Sequence, residues 1–198
     1  MTALRVGEVI ETATSRFVVH CYDLHGAPPL GSLVRTGPPE RPVFGLVGMV
    51  RTASIDPGRR PVARGREEVD PEEIFNKNPH LTQLFRTEFE AITVGYAENG
   101  AVRQTLPPSP PRIHDFAYLC TPQEALNFTE RLDFLALLLE QTFPAPVDEL
   151  VAAAIRRAAG FRPEPEEFLV RVGRELARLL APNPTRLQLL LRRLRHEA

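Results

Sequence analysis

The chain has 198 residues, 43% of them hydrophobic and 25% charged, with a formal net charge of -1. That length suits one large domain or two small ones, and it can bury a core without disulfides or metals. The near-zero charge excludes a partner chosen by bulk charge, two cysteines are too few for a disulfide framework, and no run is apolar enough for a membrane span.

The N-terminus carries no apolar stretch of signal-peptide length. The expectation is a soluble, cytoplasmic protein with Cys21 and Cys120 reduced and buried. Lys77 is the only lysine, so every other basic residue is arginine. Arginine suits bidentate contacts to phosphate and carboxylate, which makes its clusters worth locating.

Short runs rich in Val, Leu and Ile predict strands over residues 4–10 and 16–22, with a polar break at 11–15. Gly7 inside the first strand points to a bulge or bend of the kind a small barrel needs to close. A loop at 25–29 leads to a third strand starting at Gly31. The proline-rich stretch 37–42 is a second loop, and residues 44–52 form a fourth strand containing Gly45 and Gly48.

An interruption follows. Residues 55–66 form a loop that carries Arg59, Arg60, Arg64 and Arg66. Asp70-Pro71-Glu72-Glu73 has the form of a helix start. Asn78-Pro79 ends that short helix and opens another, with Leu81, Leu84 and Phe85 as its apolar face. Strand character returns over 87–96. Asn99-Gly100 predicts a two-residue hairpin with a return strand over 101–106. Pro107-Pro108-Ser109-Pro110-Pro111 is locally extended, and residues 113–119 make a last strand.

At Thr121 the pattern changes. Thr121-Pro122-Gln123-Glu124 is a capping box with proline at the first helical position. Ala125, Phe128, Leu132, Leu135 and Leu139 predict one helix face. Val147 to Ala158 predict a second amphipathic helix ending at Gly160, Phe168 to Leu180 a third, and Leu187 to Leu194 a fourth. The fold class expected is α+β. A small six- or seven-stranded antiparallel β-barrel over residues 1–120, with a helical insertion at about 70–86, precedes a bundle of about four α-helices over 121–198.

No nucleotide-binding, nucleophile-elbow or His-Glu-x-x-His motif is present. The expectation is a protein that is not an enzyme and holds no cofactor and no metal. His20, Cys21, Asp23 and His25 lie close in sequence, but neighbours on a strand point to opposite faces and no further ligand pair completes a set. Glu88, Glu90, Arg112 and His114 are the polar residues on which an enzyme reading would rest. Arg59, Arg60, Arg64 and Arg66 read either as a phosphate-backbone contact or as a solvated loop neutralised by Glu67, Glu68 and Asp70. Arg192, Arg193 and Arg195 sit where cations suit a helix C-terminus. The run Pro107, Pro108, Pro110, Pro111, Arg112 to His114 reads as a rigid connector, with recruitment of a proline-binding module as the alternative.

Val6-Gly7-Glu8-Val9-Ile10, the Phe17 strand, Gly31-Ser32-Leu33-Val34 and Phe44-Gly45-Leu46-Val47 resemble the HAS barrel. This is the N-terminal β-barrel of HerA-type DNA-translocating ATPases and of ATP synthase catalytic subunits. Ile55-Asp56-Pro57-Gly58-Arg59-Arg60-Pro61, Arg86-Thr87-Glu88-Phe89 and the stretch from Leu106 to His114 resemble a bacterial family in which such a barrel stands alone. The ATPase domain of the motors is replaced here by helices, so ATP hydrolysis does not carry over. The resemblance implies subunit contact and partner docking: an adaptor or assembly protein with a protein partner, a ring ATPase among the candidates. Nucleic-acid binding through the barrel and the 59–66 loop is the alternative, and homo-oligomerisation stays open.

Overall fold

The computed structural model describes residues 3–195. The strands are β1 (Leu4–Thr12), β2 (Arg16–Cys21), β3 (Leu33–Thr36), β4 (Val43–Ser54), β5 (Phe85–Glu98), β6 (Ala101–Arg103) and β7 (Phe116–Leu119). The helices are α1 (Pro71–Lys77), α2 (Pro122–Phe128), α3 (Phe134–Leu139), α4 (Val147–Gly160), α5 (Pro165–Leu179) and α6 (Pro184–Arg195). The fold is mixed α+β.

Every strand pairing is antiparallel. β1 lies between β2 and β7, β7 pairs onward with β3, β3 with β4 and β4 with β5. β5 then turns back onto β2, so six strands form a ring-like sheet and β6 hangs on β5 as a hairpin. Asn99 and Gly100 both take positive φ, as the two-residue hairpin requires. Register shifts in β1 and β4 supply the bends. Phe17, Phe89, Val9, Val19, Val34 and Val47 fill the interior. Gly7 and Gly45 permit this closeness: a Cβ at Gly7 would lie 2.0 Å from the His20 carbonyl oxygen, and one at Gly45 would lie 2.8 Å from the Phe17 ring.

The outer face of the sheet is covered on one side only. α3 packs on β5 and α4 on β4, while α2, α5 and α6 gather around α4. One continuous core therefore joins Leu33, Phe44, Leu46, Ile92 and Val94 of the sheet to Phe128, Leu135, Leu150 and Ile155 of the helices. α4 is central and buried nearly all round. Its Ala152, Ala153 and Ala159 are buried along with the face expected from periodicity, because small side chains let several neighbours approach one helix. Gly31, at φ 77, sits against the α4 backbone, where a Cβ would lie 2.5 Å from the Ala154 nitrogen.

Several local expectations are corrected. The face from Ala125 to Leu139 belongs to two helices, not one, so five helices follow Thr121 among the described residues. The break has a tertiary cause. Gln104, buried, donates to the carbonyls of Phe128 (2.7 Å) and Arg131 (3.2 Å) and accepts from the Phe134 amide (3.0 Å). Thr129 Oγ1 turns back onto the Ala125 carbonyl at 2.6 Å. Residues Pro79–Gln83 form a 3-10 turn, and Phe85 opens β5 instead of closing a helix, because Ser54, Ala53 and Thr52 of β4 reach far enough to pair with it. The last strand starts at Phe116 and not at 113, since His114 at φ 68 turns the chain first. Gly160 is the last residue of α4 and not its cap. The Ala158 carbonyl left over there accepts from Arg162 Nη1 at 2.7 Å. Thr121 and Glu124 form the reciprocal capping box as expected.

Candidate functional site

The bare outer face is that of β1, β7 and β3. Phe116 and Tyr118 project outward from β7 by strand alternation. Register places Arg5 opposite Tyr118, and Tyr118 opposite Arg35. Arg5 lies between two rings, 4.8 Å from the centroid of Phe116 and 5.4 Å from that of Tyr22. Arg35 lies 4.9 Å above Tyr118, and its Nε donates to Glu124 Oε1 at 2.8 Å. Arginine and aromatic side chains thus alternate across three strands, each guanidinium held over a ring.

A groove of about 950 Å³ runs along this face. One wall is the connection from β3 to β4, with Pro38, Pro39 and Arg41; the other is the strap from Pro107 to Arg112. The strap is firmly docked at its C-terminal end. Thr12 Oγ1 donates to the Pro111 carbonyl at 2.8 Å, the His114 amide to the Val9 carbonyl at 2.8 Å, and the Val9 amide to the Asp115 carbonyl at 2.9 Å. Asp115 Oδ2 accepts from the Arg112 amide at 2.7 Å. Pro107 and Pro111 are buried, while Pro108, Ser109, Pro110 and Arg112 are exposed.

At the edge of the groove Glu8 accepts from the Tyr22 hydroxyl at 2.9 Å, and its other oxygen lies 3.0 Å from His114 Nδ1. The bonds from His114 and Tyr22 hold the Glu8 carboxyl below the usual carboxylate range. Glu8 carries charge here at neutral pH and orients His114, whose side chain is 77% exposed. Among the described residues, no three His, Cys, Asp or Glu side chains group as metal ligands.

The structure brings Pro107, Pro108, Pro110, Pro111, Arg112 and His114 to this groove. Gly7, Gly31 and Gly45 are packing positions within the sheet and at its contact with α4. Arg59, Arg60, Arg64 and Arg66 lie elsewhere. Their loop leaves β4 at Ser54, whereas Val43 at the strand's other end lines the groove. A 12-residue strand separates the two by roughly 35 Å. Arg59 pairs loosely with Asp56 at 3.6 Å; Arg60, Arg64 and Arg66 form no ion pair among the described residues. Lys77, on the same insertion, pairs with Glu68 and Glu73.

Glu88 and Glu90 do not join Arg112 and His114. Their side chains lie on the outer face of β5, where Glu88 meets Arg51 (3.1 Å) and Arg86 (2.9 Å) and Glu90 meets Arg16 (3.1 Å). Arg193 of α6 is bonded to Glu149 of α4 and so serves packing between helices; His196 lies outside the described residues. Arg5, Tyr22, Arg35, Arg41, Phe116 and Tyr118 were not singled out from the sequence. The two-residue spacing of Phe116 and Tyr118 was the one local signal of a shared face.

No protein-family profile matches the chain, and no curated protein matches it either.

Proposed function

We propose that this chain is a non-enzymatic adaptor: its ring-like sheet acts as a HAS-type barrel, the helices after Thr121 act as a bundle seated on it, and the groove docks an extended segment of a partner protein. The observation that carries this reading is the groove itself. Rings, prolines and Arg35, held by Tyr118 and Glu124, offer a preformed surface with little conformational freedom to lose on binding. Arg112, free of any carboxylate at its guanidinium among the described residues, favours an acidic segment. A ring ATPase of the HerA type is the partner class that the resemblance adds. The test is a photo-reactive residue placed at Ser109 and, as control, at Gly58. Adducts of one defined mass from Ser109 alone, abolished by Arg35→Glu, are expected. Equal labelling from both positions would refute the reading.

A second reading is favoured by the alternation of Arg5, Phe116, Tyr118 and Arg35. Single-stranded nucleic acid binds where bases stack on aromatic rings beside arginines. The 59–66 loop would then be a separate backbone contact. Oligonucleotide titration across a salt series separates the two. Saturable single-strand binding that is lost on Phe116→Ala or Tyr118→Ala selects this reading, and flat titrations at low salt remove it.

A further inference from the structure

A second cavity, of about 260 Å³, lies between the sheet and the helices, and its Leu33 and Leu119 are close neighbours of Arg35 and Tyr118 in the groove. At about 30 Å³ per water in the liquid, it has room for roughly nine water-sized groups. Leu46, Phe128, Phe134 and Ala158 give it apolar walls. Cys120 adds a thiol that burial keeps protonated, so it behaves as a further apolar surface.

Three polar side chains break this lining, Ser32, Thr129 and Arg157, and Thr129 is already bonded to the Ala125 carbonyl and to Arg162. Ser32 is 2% exposed, and its hydroxyl is buried without a hydrogen bond. That oxygen presents almost no surface to the cavity, so it is not a contact point for a ligand. Arg157 is half-buried on α4 and lines the same cavity. It forms no ion pair or hydrogen bond among the described residues, whereas its neighbour Arg156 bonds the Arg193 carbonyl and Arg162 bonds the Ala158 carbonyl. An apolar chamber with one unpaired guanidinium is complementary to a molecule with an apolar body and an anionic head.

We propose that this cavity binds a small apolar carboxylic acid, its carboxylate paired with Arg157. The acid sits where the sheet and α4 meet, so it stabilises the contact between them when bound.

The test uses the full chain and three probes of equal chain length: octanoate, octanol and octylamine, followed by calorimetry and thermal melting. Octanoate is expected to bind saturably and to raise the melting temperature, with octanol and octylamine at least about tenfold weaker. Arg157→Leu should weaken octanoate by about tenfold or more while leaving octanol unchanged. Ser32→Ala should leave octanoate binding unchanged and the melting temperature of the unliganded protein unchanged or raised, because it removes an orphan hydroxyl. The proposal is overturned if octanoate shows no saturable binding at millimolar concentration, if octanol binds as tightly, or if Arg157→Leu binds octanoate like the unaltered chain. Since Arg157 is half-exposed, Arg157→Leu separates lost binding from lost folding: its unliganded melt should match that of the parent.

Discussion

The two halves of the sheet's outer surface follow one rule of strand alternation and end differently. On β3, Leu33 and Arg35 point to the same outer face two residues apart. Leu33 lies in the core shared with the helices, and Arg35 lies over Tyr118 in the groove. On β5, Ile92 and Val94 are covered by helices, whereas Glu88 and Glu90 are ringed by arginines. The boundary between the helix-covered and the uncovered surface thus runs across strands and not between segments of sequence. Helices cover the outward Leu33, Phe44, Leu46, Ile92 and Val94. On β1, β7 and β3 the outward residues are Arg5, Phe116, Tyr118 and Arg35 instead, and on β5 Glu88 and Glu90 are buried beside Arg16, Arg51 and Arg86.

The largest expected effect comes from the covered half. Leu135→Asp buries an unpaired charge at a fully buried site, at a cost of several kcal/mol. Urea unfolding followed by circular dichroism should show helix signal lost first. The ring keeps its own interior, so a sheet signal should persist. The uncovered Leu33, Phe44, Leu46, Ile92 and Val94 should make this species self-associate in light scattering, as should a chain ending near residue 120. Simultaneous loss of both signals would mean that the two halves fold as one unit.

Gly31→Val comes next. It combines a positive φ with a clash against the α4 backbone and should cost about 2–4 kcal/mol in denaturant midpoint experiments. Gln104→Leu removes the tie that ends α2 and starts α3, leaving buried backbone groups unpaired, at about 2–3 kcal/mol. On the bare half the same measurement should hardly move. Arg35→Ala removes a partly exposed ion pair and a ring contact, worth about 1 kcal/mol or less, while partner docking should collapse. A large stability loss from Arg35→Ala would erase the distinction between the halves.

The smallest effect is pH dependence at the seam. Burial alone would raise the Glu124 carboxyl, but the Thr121 amide and hydroxyl and the Arg35 guanidinium together hold it below its ordinary value of 4.5. The folded state therefore binds this proton less readily than the unfolded chain. Its contribution is fully present above about pH 4.5 and lost as pH falls through the lowered value. The melting temperature of Glu124→Gln should depend less steeply on pH below 4.5 than that of the parent.

Much of the fold was legible in the sequence because its signals are local. Asn99-Gly100 dictates a hairpin through φ, and Thr121 to Glu124 dictate a helix start through two reciprocal bonds. The break after Phe128 was not legible, since no residue from 129 to 133 is a helix breaker and the cause is Gln104, distant in sequence. The prolines of the strap could be read as a connector, and they do connect. That they also wall a groove depends on which strands lie beside β7, and the alternation of arginine and aromatic rings depends on register between three strands. The arginines at 59–66 were conspicuous by density alone, and density carries no information about position.

The long pairing of β4 with β5 has one more consequence. Beyond the residues that meet β2, Thr52 to Ser54 and Phe85 to Thr87 continue as a two-stranded arm. The insertion at 55–84 leaves and re-enters the ring through this arm, and each doubling of a flexible loop costs only about 0.6 kcal/mol in closure entropy. The arm therefore works as a grafting point. Sequence can be gained, lost or replaced at that pole, by evolution or by a designer adding a reporter, without shifting a single strand register around the ring.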